Sequence, residues 1–147
     1  MDRYNERILQ ELTVNGKITN AELAQRIGLS ASACLRRVQE LESKGIIKGY
    51  RAVLNPEELG RGFIAYVTVG LSVHTSDAQK EFEQAVTASH QVVECHNVTG
   101  GFEYLLRVET LDLKSYKAFH SNTLGMLPYV SMITTHVVMD SIKDDRA

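Results

Sequence analysis

Cysteine is scarce in this chain, with two residues in 147, and Cys34 and Cys95 stand far apart in no CxxC or Cys/His ligand spacing. Neither a disulfide framework nor a zinc site is supported, and both thiols are expected to be reduced. A redox sensor stays open as an alternative, since a lowered pKa at either cysteine makes a switch. Long apolar runs are absent too: no stretch approaches the roughly 18 residues of a membrane span. Met1, Asp2, Arg3 and Tyr4 begin no basic-then-apolar leader, so a cytoplasmic protein with no membrane partner is expected. The signatures of catalysis are also missing. His74, His90, His96, His120 and His136 match no metalloenzyme spacing, and no GxSxG, P-loop or Rossmann fingerprint occurs. No catalytic residue, metal or cofactor is assigned, and an enzyme is not the expected class.

Excess charge is missing only in the sum. The net charge is -2, but residues 1–54 carry +3 and residues 55–147 carry -5. A basic head on an acidic body suits a nucleic-acid-binding segment joined to a domain with another task.

What is present in the head is helical periodicity. Tyr4, Ile8, Leu9 and Leu12 mark one face of a helix over Asp2–Val14, which Asn15-Gly16 stops. Thr19 and Glu22 form a capping-box pattern before Leu23, Ala24 and Ile27, and Gly28 ends that short helix. Ser30 caps a third helix whose inward residues are read as Leu35, Val38 and Leu41, with Ala31 as a further candidate, closed by Lys44-Gly45. The short Gly28-containing link is that of a helix-turn-helix. The mixed β-branched, aromatic and basic run Ile46–Leu54 reads as a small β wing, and Asn55–Gly60 as a connector.

From Phe63 the period changes to two, with Ala65, Val67, Val69, Leu71 and Val73 on one side of a long strand. A helix over Asp77–Ser89, strands at Val92–Val98 and Glu103–Glu109, a helix capped by Asp112 with Leu113, Tyr116 and Phe119 inward, and a strand at Val130–Met139 complete the order β-α-β-β-α-β. The expected class is therefore α+β: a winged helix-turn-helix over 1–54, a linker over 55–62, and a ferredoxin-like domain over 63–147. Two helices cover one sheet face. Apolar residues on both faces then predict that a second copy covers the other, giving a homodimer.

Several of these segments together resemble the Lrp/AsnC family of feast/famine regulators: Asn20–Ala24, Gly28-Leu29-Ser30 followed by Cys34-Leu35-Arg36-Arg37, Gly45–Tyr50, and the hairpin Thr99–Leu106. Their order and spacing extend the resemblance over essentially the whole chain. It implies a DNA-binding head, a ferredoxin-like effector domain, dimers assembling into octamers or related rings, and amino acids as effectors. The chain departs from the family pattern at Ala31, where proline is common, at Glu103, where aspartate is common, and at Tyr129, where glycine is common; these changes bear on pocket size and effector choice.

On this reading Ser32, Ala33, Arg36 and Arg37 form the outward stripe of the third helix, with Arg36 or Arg37 on a base edge. Ser30, Lys17, Asn20 and Lys48 lie nearer phosphates, as does Ser32. The plain alternative is a solvated arginine pair. An amino-acid effector needs partners for a carboxylate and an ammonium, which the amides of Gly100 and Gly101 and the acid of Glu103 offer. By resemblance, Ala65, Tyr104, Thr123, Gly125, His136, Val137 and Val138 join the pocket or the subunit contacts around it; the alternative is that the glycines serve the turn and the others pack. Two further readings are a small-molecule-binding partner of an enzyme and an enzyme on the same superfold, the latter resting on fold analogy alone.

Overall fold

The computed structural model describes residues 1–146, which divide into two compact units, Met1–Val53 and the chain from Leu54 on. In the first, Asp2 opens helix α1 (Arg3–Val14) by accepting the Asn5 amide on its side chain. Thr19 and Ser30 do the same for α2 (Asn20–Ile27) and α3 (Ala31–Ser43), accepting from Glu22 and Ala33. The capping box is half made, because the Glu22 carboxylate goes instead to Arg26 one turn on, at 3.3 Å. Gly28 ends α2 at φ 86°, where a side chain is strained, and the Gly28 and Leu29 amides both bond the Ala24 carbonyl. This sharp reversal sets α3 across α2.

The helices close on a core of Ile8, Leu23, Ala24, Ile27, Cys34 and Leu41, with Leu9, Leu12, Val38 and Ile47 around it. Leu35 is not part of it: it is 45% exposed, and fully buried Cys34 takes the inward place. At about 100° per residue, Cys34, Val38 and Leu41 share one face and leave Leu35 to the side. The expected β wing is also corrected. Ile46 and Ile47 bond back to the Leu41 carbonyl, and Lys48–Leu54 pairs with no strand among the described residues. Nine residues around Gly49 offer no second strand to complete a ladder, so the wing is an irregular extended segment.

The second unit is built on a four-stranded antiparallel sheet of order β2-β3-β1-β4, with β1 (Phe63–Leu71), β2 (Val92–Asn97), β3 (Tyr104–Thr110) and β4 (Val130–Val137). Helices α4 (Ser76–Ala88) and α5 (Leu113–Asn122) pack on one face. There Ala65, Val67, Val69 and Leu71 meet Tyr104, Leu106, Val108, Phe82, Val86, Tyr116, Phe119 and Leu124 in a single core. Alternation gives β3 a strict in-out burial pattern. Leu113 is 64% exposed rather than inward, since it is the first residue after the Asp112 cap.

The opposite face carries Ile64, Tyr66, Thr68, Leu105, Arg107, Met132, Thr134 and His136, as the register fixes. Ile133 and Val137 pair with Val69 and Ala65 and so fall on the helix side, whereas Ile64, Tyr66 and Leu105 lie on the open face. Beside these apolar residues it holds a charged cluster, in which Arg107 bonds Glu109 and the Tyr66 hydroxyl, and Arg146 reaches Glu94 at 2.7 Å.

Candidate functional site

Over the first nine residues of α3, Ala31 to Gln39, those exposed to solvent are Ala31, Ser32, Leu35, Arg36 and Gln39. Ser32, Leu35, Arg36 and Gln39 follow the spacing of one helix face, and this is the stripe that the Gly28 turn presents outward. Arg36 makes no hydrogen bond or ion pair among the described residues, so its fork is available to a guanine edge. Gln39 has the forked amide that suits adenine, and sequence reading passed over it although it follows Ser32 by seven residues.

Arg37 is in a different position. Its guanidinium donates to Asp2 at 2.7 Å and to Asn5 at 3.2 Å and lies 5.1 Å from the Tyr4 ring centroid. It therefore clamps α3 to the start of α1 and does not share the stripe with Arg36. Each partner marks the bond: Asp2 holds the Arg37 charge in place and its own carboxyl falls below the ordinary value through that hydrogen bond. Ala33 is half-buried. Asn20 spends its amide on the Ala31 carbonyl at 2.8 Å, and Ser30 spends its hydroxyl on the Ala33 cap, so both fix the turn. Lys17 and Lys48 are exposed. Arg7, which sequence reading did not single out, braces the end of α2 by donating to the carbonyls of Arg26 and Ile27.

The effector candidates fall in two groups. At the β2–β3 hairpin, Gly100 sits at φ 116° and both glycines face open space. The amides of Gly100, Gly101 and Phe102 donate to no acceptor among the described residues. Glu103 directly follows, its amide bonded to the Val69 carbonyl and its carboxylate accepting the Leu71 amide at 2.8 Å. Free donors thus stand beside an acid whose side chain is 20% exposed. Thr123 caps the end of α5, and Gly125 lies in the 3-10 turn Leu124–Met126 that leads to β4, whose first residue Val130 pairs with Leu71.

Ala65, His136, Val137 and Val138 lie at the other end of β1, where Ala65 pairs with Val137 and the Val138 amide bonds the Ile64 carbonyl. Six residues of strand separate Ala65 from Leu71, about 20 Å. One chain therefore does not gather the predicted set into one pocket. Ala65 is fully buried among the helices, and His136 points to the sheet face opposite Val137. Tyr104 is 1% exposed, stacks on Phe82 and donates to Glu83, so it is a core residue; burial pushes its hydroxyl pKa upward. Val69, the pairing partner of Tyr104, already places it on the helix side.

The chain matches the family model for the Lrp/AsnC ligand binding domain over residues 64–147 and that for a winged helix-turn-helix DNA-binding domain over 1–48. The chain belongs to the Lrp/AsnC family. The leucine-responsive regulatory protein of Haemophilus influenzae is 41% identical over 143 residues, covering 97% of this chain and 86% of that protein. The leucine-responsive regulatory protein of Escherichia coli strain K12 is 40% identical over 97% of this chain and 87% of its own. Among solved structures, a transcriptional regulator of Neisseria meningitidis in complex with L-methionine superposes with a TM-score of 0.93 at 35% identity, covering 98% of this chain and 93% of that one. Lrp/AsnC proteins are transcriptional regulators rather than enzymes, and this member carries the family's DNA-binding and ligand-binding domains.

The thiols have no part in the Lrp/AsnC sites described. Burial raises the pKa of both, that of Cys95 to about 11, with the Glu83 charge adding to it. Cys34 is wholly enclosed. A redox switch needs an accessible thiolate, and a thiol pushed up to about 11 stays protonated at neutral pH. Iodoacetamide is therefore expected to leave both cysteines unmodified in the folded protein and to label both after denaturation; rapid labelling of either in the native state reinstates the redox reading.

Proposed function

We propose that this Lrp/AsnC protein is a cytoplasmic, amino-acid-responsive regulator. Residues 1–54 grip the operator, 55–62 form the linker, and 63–147 bind the effector and join subunits. The observation that carries the effector assignment is the pairing of three unused amides at Gly100, Gly101 and Phe102 with the half-buried carboxylate of Glu103. An α-amino acid presents a carboxylate to the first and an ammonium to the second, both as charge-assisted bonds. Relatives named for leucine and a neighbour solved with L-methionine support an amino acid of apolar side chain.

In the head, Arg36 and Gln39 read base edges, and Lys17, Lys48 and Ser32 neutralise or bond phosphates. His136, Val137 and Val138, but not the enclosed Ala65, meet the hairpin only across a contact between copies, which ties the effector to assembly of dimers into an octamer. An effector placed there shifts assembly by its differential affinity for the two states.

The test is binding of the full-length protein to DNA upstream of its own gene across a salt series, with and without each of the twenty amino acids. Sequence-specific, salt-sensitive binding that one amino acid alters is the expected result. Glu103→Ala is expected to lose at least about tenfold in effector affinity while keeping the same assembly state without effector. Full effector affinity in that variant would refute the site.

A further inference from the structure

Glu103 is not idle in the chain without effector. One carboxylate oxygen, Oε2, accepts the Leu71 amide at 2.8 Å, and the other, Oε1, lies 3.0 Å from Nδ1 of His74. His74 sits on the short link between β1 and α4, 66% exposed, while the Glu103 side chain is 20% exposed. The sequence reading gave this histidine no role in binding.

The link that carries His74 is fixed at both ends. On one side the Ser72 amide and hydroxyl both donate to the Tyr129 carbonyl, at 2.7 Å and 3.3 Å. Tyr129 provides that carbonyl from φ 71°, the only positive φ at a residue other than glycine among those described. Such a backbone is costly for a side-chain-bearing residue and persists where its surroundings hold it. On the other side, Thr75 caps α4 by accepting the Ala78 amide at 3.2 Å. With Ser72 and Thr75 both tied, the imidazole between them is delivered to Glu103 by the fold.

We propose that His74 gates the effector site: its imidazole occupies the carboxylate oxygen that the effector ammonium needs, and binding begins by displacing it. The inference rests on the amino-acid site proposed above. An ammonium brings up to three donors and a full charge, so it wins the oxygen from a ring that is two-thirds open to water. The cost of displacing the ring is subtracted from every effector's affinity. Because that cost is common to all effectors, the histidine lowers affinity without changing the ratio between one amino acid and another.

The experiment is calorimetric titration of the full-length wild-type protein, His74→Ala, His74→Gln and Glu103→Ala with each of the twenty amino acids. His74→Ala is expected to bind the preferred amino acid about three- to tenfold more tightly than wild type, and every other amino acid that binds by a similar factor. His74→Gln keeps a donor for Glu103 and is expected to return toward wild-type affinity. Binding by His74→Ala where wild type shows none supports the gate equally. Unchanged or weaker binding by His74→Ala, with Glu103→Ala still defective, overturns the gate and leaves the site standing. Full binding by Glu103→Ala, or no binding by wild type and His74→Ala alike, overturns the site and the gate with it.

Discussion

Arg36→Ala is expected to reduce discrimination between the operator and single-base-pair variants by about tenfold to a hundredfold at one position, equivalent to about 1 to 3 kcal/mol. Arg36 is exposed on the face that Ser32, Leu35 and Gln39 share and makes no hydrogen bond or ion pair among the described residues. Nothing in the fold therefore depends on it, and the loss falls on DNA alone. Lys48→Ala, by contrast, is expected to weaken binding to all sequences alike and to lower the salt slope by about 1. Arg37→Ala gives a third pattern: the clamp on Asp2, Asn5 and Tyr4 is lost, the head melts at a lower temperature, and base preference is kept among the molecules that remain folded. Competition binding against a set of operator variants, read beside thermal melts, separates the three. Intact discrimination in Arg36→Ala refutes its assignment as a base reader.

Why one arginine of an adjacent pair reads and the other clamps bears on how much of the protein its sequence exposes. Caps at Thr19, Ser30 and Asp112, the stop at Gly28 and the alternation through β1 were legible because each depends on neighbours within a few residues. Arg37 depends on Asp2, thirty-five residues away, and periodicity holds no trace of such a pair. At 100° per residue Arg36 and Arg37 cannot both face straight outward, so a closer count of the helix would have questioned the pair and noticed Gln39. Leu35 was assigned inward from its hydrophobicity, but its neighbour Cys34 holds the better angle. The hairpin acid was legible as a local motif. Its engagement by His74 was not, because the two meet only when β1 and β3 pair. The far group of effector candidates entered by family resemblance, and the register shows why one chain does not unite them with the hairpin: Ala65 and Leu71 lie near opposite ends of the same strand.

Truncating Arg107 is expected to have the largest effect on stability of any change on the open sheet face. Its side chain is 13% exposed and that of Glu109 is 12%, with Nε of the arginine 3.1 Å from the carboxylate. Nη1 donates to the Tyr66 hydroxyl at 2.7 Å, and the guanidinium lies 5.5 Å from that ring centroid. Arg107→Ala leaves the Glu109 charge enclosed with no partner and strips a stacking neighbour from Tyr66. The expected loss is about 2 kcal/mol, below the range for fully enclosed pairs because water still reaches the rim of the cluster. Arg107→Lys keeps the charge without the planar fork and is expected to recover only part of it. The double variant Arg107→Ala/Glu109→Ala is expected to be more stable than Arg107→Ala alone, since the stranded charge is gone. Urea unfolding at several protein concentrations decides where the cluster acts. A loss that is the same at every concentration places its contribution within one chain. A loss that deepens on dilution places the cluster in the contact between copies, because stability that depends on association falls with protomer concentration. Wild-type stability in Arg107→Ala at all concentrations would mean that the cluster is solvated in solution and contributes to neither.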